Sequence, residues 1–438
     1  MRKRLRTSAP ASTDYKRIRV LFPDHLGLAR GKYIPAAHGA TTANHCIGVF
    51  GLQFDRTVTP ELGPTMFAGL PDCKATFSRD EVHPGWEEDT GVVVADLEFR
   101  GKPLAIAPRH TLRRAIADWK TAGFAAKLGI ELEAYVMQPD GKGGWHPWDT
   151  PSAFVYGTGP GVDPAGLLDE IMRTAERSGF PVESINSEFD PPQFELTLVF
   201  GDALEAVDNV FLFKVMAREI AARHGLLLTF LGKPFADRSG SGMHVNLSFT
   251  DQHRQNALTN PKSKDGLSEL AHHCIAGLLA HHCALAAFCA PTVNAYKRLR
   301  PGQLAGYWAD WGYDHRSVTV RVPDDRATAT RLEHRMPDGA ANPYLASAAI
   351  LQAARLGVMQ KLTPPPPEPM GPRERHTTDR HVPNDLNAAL DALESDQELS
   401  AAIGKDTVAM FLAVKRLEWQ KFVTSVTDWE LNHYLPFL

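Results

Sequence analysis

The sequence predicts an α+β protein of two domains, and three observations lead to that prediction. The chain has 438 residues, more than one compact domain usually holds. Residues 14–107 contain short strand-like runs such as "YKRIRVLF" and "GVVVADLEF", with Gly and Pro between them. Beyond Pro108, helical and strand-like segments alternate, beginning with the periodic run "RHTLRRAIADWKTAG". We therefore expect a β-rich N-terminal domain over 14–107 and a larger mixed domain over 108–438.

The composition is that of an ordinary globular protein, with 43% hydrophobic and 22% charged residues. Lys and Arg (47) against Asp and Glu (51) leave a net charge of −4, which argues against a nucleic-acid partner. No run approaches the roughly 20 apolar residues of a membrane helix, so no membrane association is expected. Five cysteines without metal-ligand spacing indicate free thiols and a cytoplasmic protein. Residues 1–13 are basic but lack the apolar core of a secretory signal, which predicts a flexible tail.

Several helices are indicated by their ends or by their periodicity. "DPAGLLDEIMRTAERSG" is predicted to begin with Asp163 as N-cap and Pro164 at the first helical position. "DALEAVDNVFLFKVMAREIAARHG" is predicted to end at Gly225. The Pro-rich run 364–372 is expected to be a stiff surface connector, followed by a helical tail over about 385–425.

One predicted helix, "AHHCIAGLLAHHCALAAFCAP", carries four His and three Cys. Cys274 lies two helical turns from His281 and His282, a spacing that permits a metal site. Its apolar bulk favours the other interpretation, a packed helix with neutral imidazoles at its margins.

The segment "KLGIELEAYV" places Glu131 and Glu133 two residues apart in an otherwise apolar strand. Residues at that spacing point to the same face of a strand. Buried carboxylates cost several kcal/mol each unless a positive charge meets them. The pair therefore predicts a cation at this strand.

Three further segments combine an apolar face with a polar one: "PPQFELTLVF", "GMHVNLSF" and "TRLEHRM". One such strand is commonly a half-exposed strand with solvated side chains. Together with "KLGIELEAYV" they make four such strands, each with Glu or His, and four strands of this kind favour a metal centre. The polar faces of the three segments carry Gln193, Glu195, His244, Asn246, Ser248, Arg331, Glu333 and Arg335.

The charges of this group indicate phosphate chemistry with two divalent cations. Five carboxylates carry five negative charges, and two divalent cations would neutralise four of them. Carboxylates with a single His suit Mg²⁺ or Mn²⁺ better than zinc. Arginines beside such a centre can neutralise a transferring phosphoryl group. No P-loop or kinase-type glycine loop is present. The carboxylates are Glu131, Glu133, Glu188, Glu195 and Glu333, and the arginines are Arg298, Arg316, Arg321, Arg331 and Arg335.

Seven motifs resemble, in order and spacing, those of glutamine synthetases and their relatives: "GIELEAYV", "ESINSEFDPPQFEL", "KPFADRSGSGMHVNLSF", "NAYKRLRPG", "HRSVTVRVP", "RLEHRMPDGAANPYL" and "VTDWELNHYL". The resemblance runs from about Tyr15 to the C-terminus. It implies an N-terminal β-grasp domain over 14–107 and a catalytic domain with a curved antiparallel sheet and helices over 108–438. It also implies a homo-oligomer of stacked rings, a decamer or dodecamer, with active sites between neighbours.

The resemblance also implies roles for individual residues. Glu133, Glu188 and Glu195 correspond to ligands of the metal at the amino acid, and Glu131, His244 and Glu333 to ligands of the metal at the nucleotide phosphates. Arg298 and Arg335 correspond to the pair on the substrate carboxylate, and Arg316 and Arg321 to the pair on the transferring phosphate. Glu183, Asn246, Ser248 and Arg331 fall at nucleotide-contacting positions, with Phe200 against the adenine. The implied reaction is ATP-dependent activation of a carboxylate, followed by displacement by an amine.

Two departures from the family concern the amine. Glutamine synthetases carry a Glu six residues beyond the arginine of "NxYKRL", and here that position is Leu304. The Asp that binds ammonium in the family aligns best with Gly51, while Tyr156 is kept. Loss of both carboxylates predicts a larger nucleophile than ammonia, an apolar monoamine rather than a polyamine. Trp308 and Trp311 either line that pocket or belong to the core.

Other departures affect the carboxylate substrate and regulation. Ser239 precedes Gly240 at a position where the family usually has Asn. The carboxylate substrate can therefore be glutamate or another carboxylate. Because no tyrosine lies between Tyr344 and Tyr434, the family's adenylylation in that region is not expected.

The leading hypothesis is a ligase that forms a γ-glutamylamide from glutamate and an organic amine through a γ-glutamyl phosphate, with ATP and Mg²⁺ or Mn²⁺. The alternatives are glutamine synthesis from ammonia and a catalytically inactive structural or regulatory member. The complete ligand and arginine sets count against the inactive member. A guanidino kinase, which shares the catalytic architecture, should lack the β-grasp domain.

Overall fold

The computed structural model of the protein describes residues 15–60, 65–371 and 376–438. The predicted basic tail, 1–13, lies outside the described residues. The α+β prediction is confirmed: strands dominate the N-terminal part, and a large sheet with helices follows from Pro108.

The N-terminal part contains eight strands among its described residues, arranged in two four-stranded sheets. The sheet orders are β2-β1-β6-β5 and β3-β4-β7-β8, and the β1–β6 pair is parallel. The run "GVVVADLEF" splits at Ala95, because its two halves join different sheets. The strands are β1 (Arg17–Pro23), β2 (Ala29–Pro35), β3 (Thr42–Cys46), β4 (Asp72–Thr76), β5 (His83–Pro84), β6 (Thr90–Val94), β7 (Asp96–Phe99) and β8 (Lys102–Pro103).

In the described part of the chain beyond Pro108, ten strands form one sheet, antiparallel except for the β16–β17 pair. Its main order is β11-β12-β9-β15-β18-β17-β16, and β10, β13 and β14 also pair with β9. The strands are β9 (Ala125–Pro139), β10 (Trp145–Pro147), β11 (Val182–Ser187), β12 (Gln193–Leu198), β13 (Gly201–Asp202), β14 (Leu227–Thr229), β15 (Met243–Thr250), β16 (Trp311–Tyr313), β17 (Val320–Val322) and β18 (Leu332–His334).

Helices cover the apolar face of this sheet and close the chain. The core lies between the sheet and the helices, where Met243, Val245, Leu247 and Phe249 of β15 are fully buried. The helices are α1 (Pro108–Thr121), α2 (Leu167–Ser178), α3 (Ala203–Arg223), α4 (Glu269–Ala280), α5 (His282–Cys289), α6 (Pro343–Met359), α7 (Leu386–Ser395), α8 (Gln397–Ile403), α9 (Lys405–Val423) and α10 (Asp428–Tyr434).

The two parts of the molecule are joined by packing and by ion pairs. Met410 and Val414 of α9 complete the core of the N-terminal sheets. Arg109 at the start of α1 pairs with Asp208 of α3 at 2.8 Å and with Asp96 of β7.

Two helix predictions were wrong in detail. Helix α2 begins at Leu167 rather than at Pro164, since Gly166 adopts a left-handed conformation with φ of 66°. Asp163 still caps the helix from outside, accepting hydrogen bonds from the backbone N–H groups of Leu167, Leu168 and Asp169. The predicted His- and Cys-rich helix is two helices, α4 and α5, which break at His281 and bend by 77°.

The prediction of a surface connector at 364–372 was incomplete, because Glu368 is 5% exposed and lies against β16. Its backbone N–H donates to the carbonyl of Trp311, and the indole of Trp311 donates to the carbonyl of Pro365. The Pro-rich segment therefore covers β16 rather than crossing free surface.

None of the described helices is by itself long and apolar enough to cross a membrane. The bent pair α4–α5 meets the length and composition criteria only when its two helices are taken together.

Candidate functional site

Strand β9 carries the carboxylates at the centre of the site. Leu132 and Ala134 on one of its faces are fully buried, while Glu131 and Glu133 point to the other. Antiparallel pairing sets Glu195 of β12 opposite Glu133 and His244 of β15 opposite Glu131. The predicted ligands on three strands therefore meet because of strand register.

Glu131, His244 and Glu333 form a compact group whose ligand atoms lie within 4.8 Å of one another. The Nδ1 atom of His244 lies 3.5 Å from Oε2 of Glu131 and 3.5 Å from Oε1 of Glu333. Asn246 donates a hydrogen bond of 2.9 Å to Oε1 of Glu131, which orients that carboxylate. Two carboxylates and one imidazole at this spacing fit a divalent cation, and hard oxygen donors favour Mg²⁺ or Mn²⁺.

Glu133, Glu188 and Glu195 make up a second acidic group beside the first. Burial, with the charges of Glu131, Glu188 and Glu133, raises the pKa of Glu195 to about 8. Burial and the charge of Glu133 also raise the pKa of Glu188. Carboxylates that repel one another in a partly buried site would be stabilised in their ionised form by a second cation. Among the described residues only the triad of Glu131, His244 and Glu333 brings its ligand atoms within 4.8 Å, so the second ligand set stays a prediction.

Arginines surround these carboxylates from the side of β17 and β18. Arg321 pairs with Glu333 at 2.6 Å and also with Asp314, while Arg335 pairs with the other oxygen of Glu333. Burial raises the pKa of Glu333, but these arginines and His244 outweigh it and hold that pKa at about 2. Arg316 is exposed, and its charge opposes the raised pKa values of Glu188 and Glu195, so it faces the second acidic group.

A pocket of about 310 Å³ opens beside Glu131 and contains the whole predicted nucleotide set. Its lining includes Glu183, Phe200, Asn246, Ser248 and Arg331. Glu183 falls at an irregularity in the β11–β12 register, where a bulge can redirect a side chain. A Cβ atom at Gly129 would lie 3.0 Å from Cβ and 3.6 Å from Cα of Phe200, so this glycine lets Phe200 approach β9 closely.

The loop before β15 brings Arg298 against two glycines. A Cβ atom at Gly240 would lie 2.6 Å from Cγ of Arg298, and one at Gly242 would lie 2.7 Å from its Nη2. Arg298 is 3% exposed and donates to the backbone carbonyls of Met336 and Arg335. In this structure Arg298 therefore holds the backbone beside the site, and its role on a substrate carboxylate stays a prediction.

Ser239 is held by a residue that the sequence analysis missed. Its hydroxyl and its backbone N–H both donate to Oδ2 of Asp190 at 2.6 Å. The carbonyl of Ser239 accepts from the hydroxyl of Tyr135. Asp190 follows Glu188 in the quoted motif "ESINSEFDPPQFEL", so a search for partners of the glycine loop could have found it.

Leu304 lies in a turn that approaches Arg335. Its carbonyl accepts a hydrogen bond of 3.3 Å from Nη2 of Arg335, and its φ is 53°. Trp308, four residues on, is half-buried near Leu304. Trp311 is 2% exposed in β16 and its ring packs on Tyr313, which supports the core interpretation for that residue alone.

The remaining predicted amine-pocket residues lie apart. Gly51 sits in the N-terminal part, where its carbonyl accepts from Thr59 and the nearby Gln53 donates to Val414 of α9. Tyr156 is 69% exposed and is tied by its backbone N–H to the carbonyl of Ser187, next to Glu188. Within a single chain, Tyr156 therefore lies near the second acidic group, whereas Gly51 lies against α9.

The His- and Cys-rich pair α4–α5 does not supply a metal cluster among the described residues. His281 pairs with Asp396 at 2.6 Å, and His282 donates to the carbonyl of Tyr307. Cys274 is fully buried. The packed-helix interpretation accounts for these residues.

Comparison with known proteins gives one consistent result. Residues 105–434 match the family described as "Glutamine synthetase, catalytic domain". A glutamine synthetase of Methanocaldococcus jannaschii is 34% identical over 442 residues, covering 97% of this chain and 96% of its own. A glutamate–methylamine ligase of Methyloversatilis universalis is 35% identical over 440 residues, covering 96% of each chain. A solved structure described as "Apo GmaS without ligand" superposes with a TM-score of 0.84 at 29% identity, covering 96% of this chain and 97% of that one.

Proposed function

Because the chain belongs to the glutamine synthetase family, we propose that it joins glutamate to an organic amine through a γ-glutamyl phosphate. The matched catalytic domain and the similarity to a glutamate–methylamine ligase make it an ATP-dependent ligase. The choice of glutamate and of an organic amine over ammonia is the part that is proposed.

The reaction has two steps. An oxygen of the glutamate side-chain carboxylate attacks the terminal phosphorus of ATP, and ADP leaves. The amine nitrogen then attacks the acyl carbon, phosphate leaves, and the amine gives up a proton. Arg316 and Arg321 are proposed to stabilise the transferring phosphoryl group, and Arg335 to orient the amino acid. Glu131, His244 and Glu333, with Glu133, Glu188 and Glu195, would hold Mg²⁺ or Mn²⁺, which supplies charge neutralisation on phosphate oxygens.

Leu304 is the observation that carries the proposal for an organic amine. It lies against Arg335 in the turn that follows Arg298, and no Asp or Glu occurs between Arg298 and Asp310. A carboxylate at this place would attract a small cation and help remove its proton. With Leu in its place, the turn offers an apolar contact to an alkyl group instead.

Phosphate release from ATP and glutamate, measured across ammonium, alkylamines, arylamines, ethanolamine and polyamines, tests the proposal. We expect one small organic monoamine to give the highest kcat/KM. Replacing glutamate with other carboxylates tests the departure at Ser239. Highest turnover with ammonium would contradict the proposal, and absence of nucleotide binding would favour an inactive member.

Glutamine synthesis from ammonia is the second candidate, and the 34% identity to a glutamine synthetase favours it. The first candidate is preferred because the position of Leu304 would leave ammonium without a carboxylate in this turn. The intact triad of Glu131, His244 and Glu333 argues against an inactive scaffold.

We further propose a cytoplasmic homo-oligomer of stacked rings, a decamer or dodecamer. Its support is the apolar C-terminal end, where Trp429, Leu435, Phe437 and Leu438 are 63–96% exposed. Several exposed large apolar side chains at one place are typical of a protein interaction surface. An odd number of cysteines, five, without metal-ligand spacing supports the proposal of a reducing compartment. Mass photometry of the purified protein measures the subunit number.

A further inference from the structure

The pocket beside Glu131 extends along three neighbouring strands, β9, β15 and β18, whose pairing orders its polar residues. Ser248 of β15 lies opposite Lys127 of β9. Arg331 directly precedes β18, two residues from Glu333, and so continues the row of Ser248. Lys127 is four residues from Glu131, about 13 Å along the strand. The pocket therefore has one end at the candidate metal triad and a far end at Lys127, Ser248 and Arg331.

The two ends of this pocket suit different parts of a nucleotide. A cation held by Glu131 and its neighbours would bind the phosphates of ATP, so the adenosine part has to extend toward the far end. Phe200 lines the pocket between the two ends, above Gly129, and is 65% exposed. An accessible aromatic ring at this place can stack on a nucleobase. The base is therefore expected beside Arg331.

Asp325 and Arg331 form an ion pair in the lining of the far end. Nη1 of Arg331 lies 3.0 Å from Oδ2 of Asp325, and the two side chains are 34% and 63% exposed, respectively. The same nitrogen also donates to the carbonyl of Ala329. Within the described part of the chain, Oδ1 of Asp325 and Nη2 of Arg331 make no hydrogen bond. The pair thus offers one acceptor and one donor to a ligand.

The loop that carries Asp325 is anchored from outside the pocket. Asn256 donates a hydrogen bond of 2.7 Å to the carbonyl of Thr330. Arg326 is not part of the pocket lining, and its guanidinium donates to the carbonyl of Asp265 at 3.0 Å. These contacts hold the loop in one shape, with Asp325 at the pocket and Arg326 away from it. A recognition residue needs such a fixed position.

We propose that Asp325 selects adenine by accepting a hydrogen bond from its 6-amino group, while Arg331 donates to the adjacent ring nitrogen. The inference rests on the proposed function, which supplies ATP, and adds to it the residue that recognises the base. Adenine presents an amino donor beside a ring-nitrogen acceptor, which matches a carboxylate beside a guanidinium. A 6-oxo purine presents an oxygen acceptor in place of the amino group, and that oxygen would face the Asp325 carboxylate without a proton between them.

A purely structural role of Asp325 makes a different prediction. Exposed ion pairs often do no more than link two side chains. If Asp325 only shaped the loop through Arg331, loss of its charge would change the affinity for every nucleotide by the same factor. Recognition of the base instead changes the ratio of affinities between two bases.

Calorimetric titration with ADP and with inosine diphosphate, both with Mg²⁺, measures this ratio without any amine. We expect the wild-type Kd for inosine diphosphate to exceed that for ADP about tenfold or more, the usual cost of an unmade hydrogen bond to a charged group. The amide of Asp325→Asn can donate to the 6-oxo group, so the ratio of the two Kd values should fall about tenfold. Asp324→Asn, at the exposed neighbour outside the pocket lining, is the matched control and should keep the wild-type ratio.

Several outcomes overturn the inference. An unchanged ratio in Asp325→Asn does so, as does weaker binding of both nucleotides by the same factor. A fall in the ratio for Glu183→Gln but not for Asp325→Asn assigns the recognition to the other carboxylate of the pocket. If the wild-type protein binds neither ADP nor ATP, the proposed function itself fails, whereas equal affinity for ADP and inosine diphosphate removes only the role of Asp325.

Discussion

The guanidinium of Arg335 donates a hydrogen bond of 3.3 Å to the carbonyl of Leu304, in the turn that follows Arg298. The same guanidinium pairs with Glu333 of the candidate metal triad. One arginine thus connects the residue at which this chain departs from its family with the residues that it shares with the family. In the proposed mechanism, a residue of carboxylate activation and the residue that selects the amine meet at this contact.

Leu304→Glu should shift the enzyme toward ammonia. The new carboxylate would lie in the turn that contacts Arg335, where we expect it to attract ammonium and accept its proton. We expect the ratio of kcat/KM for ammonia over methylamine to rise about tenfold or more, equivalent to about 1.4 kcal/mol. Leu304→Gln has the same size without the charge and should give a much smaller change. Equal ratios in the Glu and Gln variants would show that the charge is not the cause.

Glu131→Gln should weaken binding of Mn²⁺ and abolish most activity. The amide keeps the shape of the side chain but removes one negative charge from the triad with His244 and Glu333. We expect the Kd for the ion, measured by isothermal titration calorimetry, to rise about tenfold or more. Glu98→Gln in β7, outside the site, is the control. Unchanged Mn²⁺ binding would exclude the triad as a metal site.

Gly240→Ala should impair glutamate binding more than ATP binding. The added methyl group would lie 2.6 Å from Cγ of Arg298 and 2.7 Å from the carbonyl of Gly232, so Arg298 must shift. We expect a rise of about tenfold or more in KM for glutamate with little change in KM for ATP, since misplaced substrate contacts are costly. Gly371→Ala, whose Cβ atom would meet only the carbonyl of Pro369 at 3.9 Å, is the control. A parallel rise in both KM values would contradict a specific role for Arg298.

The sequence predicted the strands of the site well because their alternation is local. The residues 131 and 133 had to share a face, and the structure adds that register sets His244 opposite Glu131. Contacts between segments far apart in the sequence could not be predicted, because no local pattern indicates them. The pairing of Asp190 with Ser239 depends on how two loops meet, and the pair of Asp310 with His376 joins segments 66 residues apart. The break at His281 was missed because an apolar helix pattern continues through it.

His25 should make stability depend on pH between about 6.5 and 4. Burial lowers its pKa from 6.5 to about 4, and its Nε2–H donates to the carbonyl of Ile106 at 2.8 Å. The unfolded chain takes up a proton below about 6.5 while the folded chain stays neutral, so stability is lost as pH falls through this window. The loss is at most about 1.4 kcal/mol per pH unit.

His25→Gln removes this titration and keeps a donor for Ile106. Melting temperatures measured from pH 7 to pH 4 should therefore fall less steeply for the variant than for the wild type. Parallel curves would mean that folding does not lower the pKa of His25.

A competition between two amines in one reaction measures the preference for an organic amine over ammonia. Equal concentrations of methylamine and isotopically labelled ammonium are supplied with ATP, glutamate and Mg²⁺, and both products are quantified by mass spectrometry. We expect γ-glutamylmethylamide to exceed labelled glutamine by about tenfold or more, the discrimination expected when an apolar contact replaces a carboxylate. An excess of labelled glutamine would contradict it and assign the chain to glutamine synthesis.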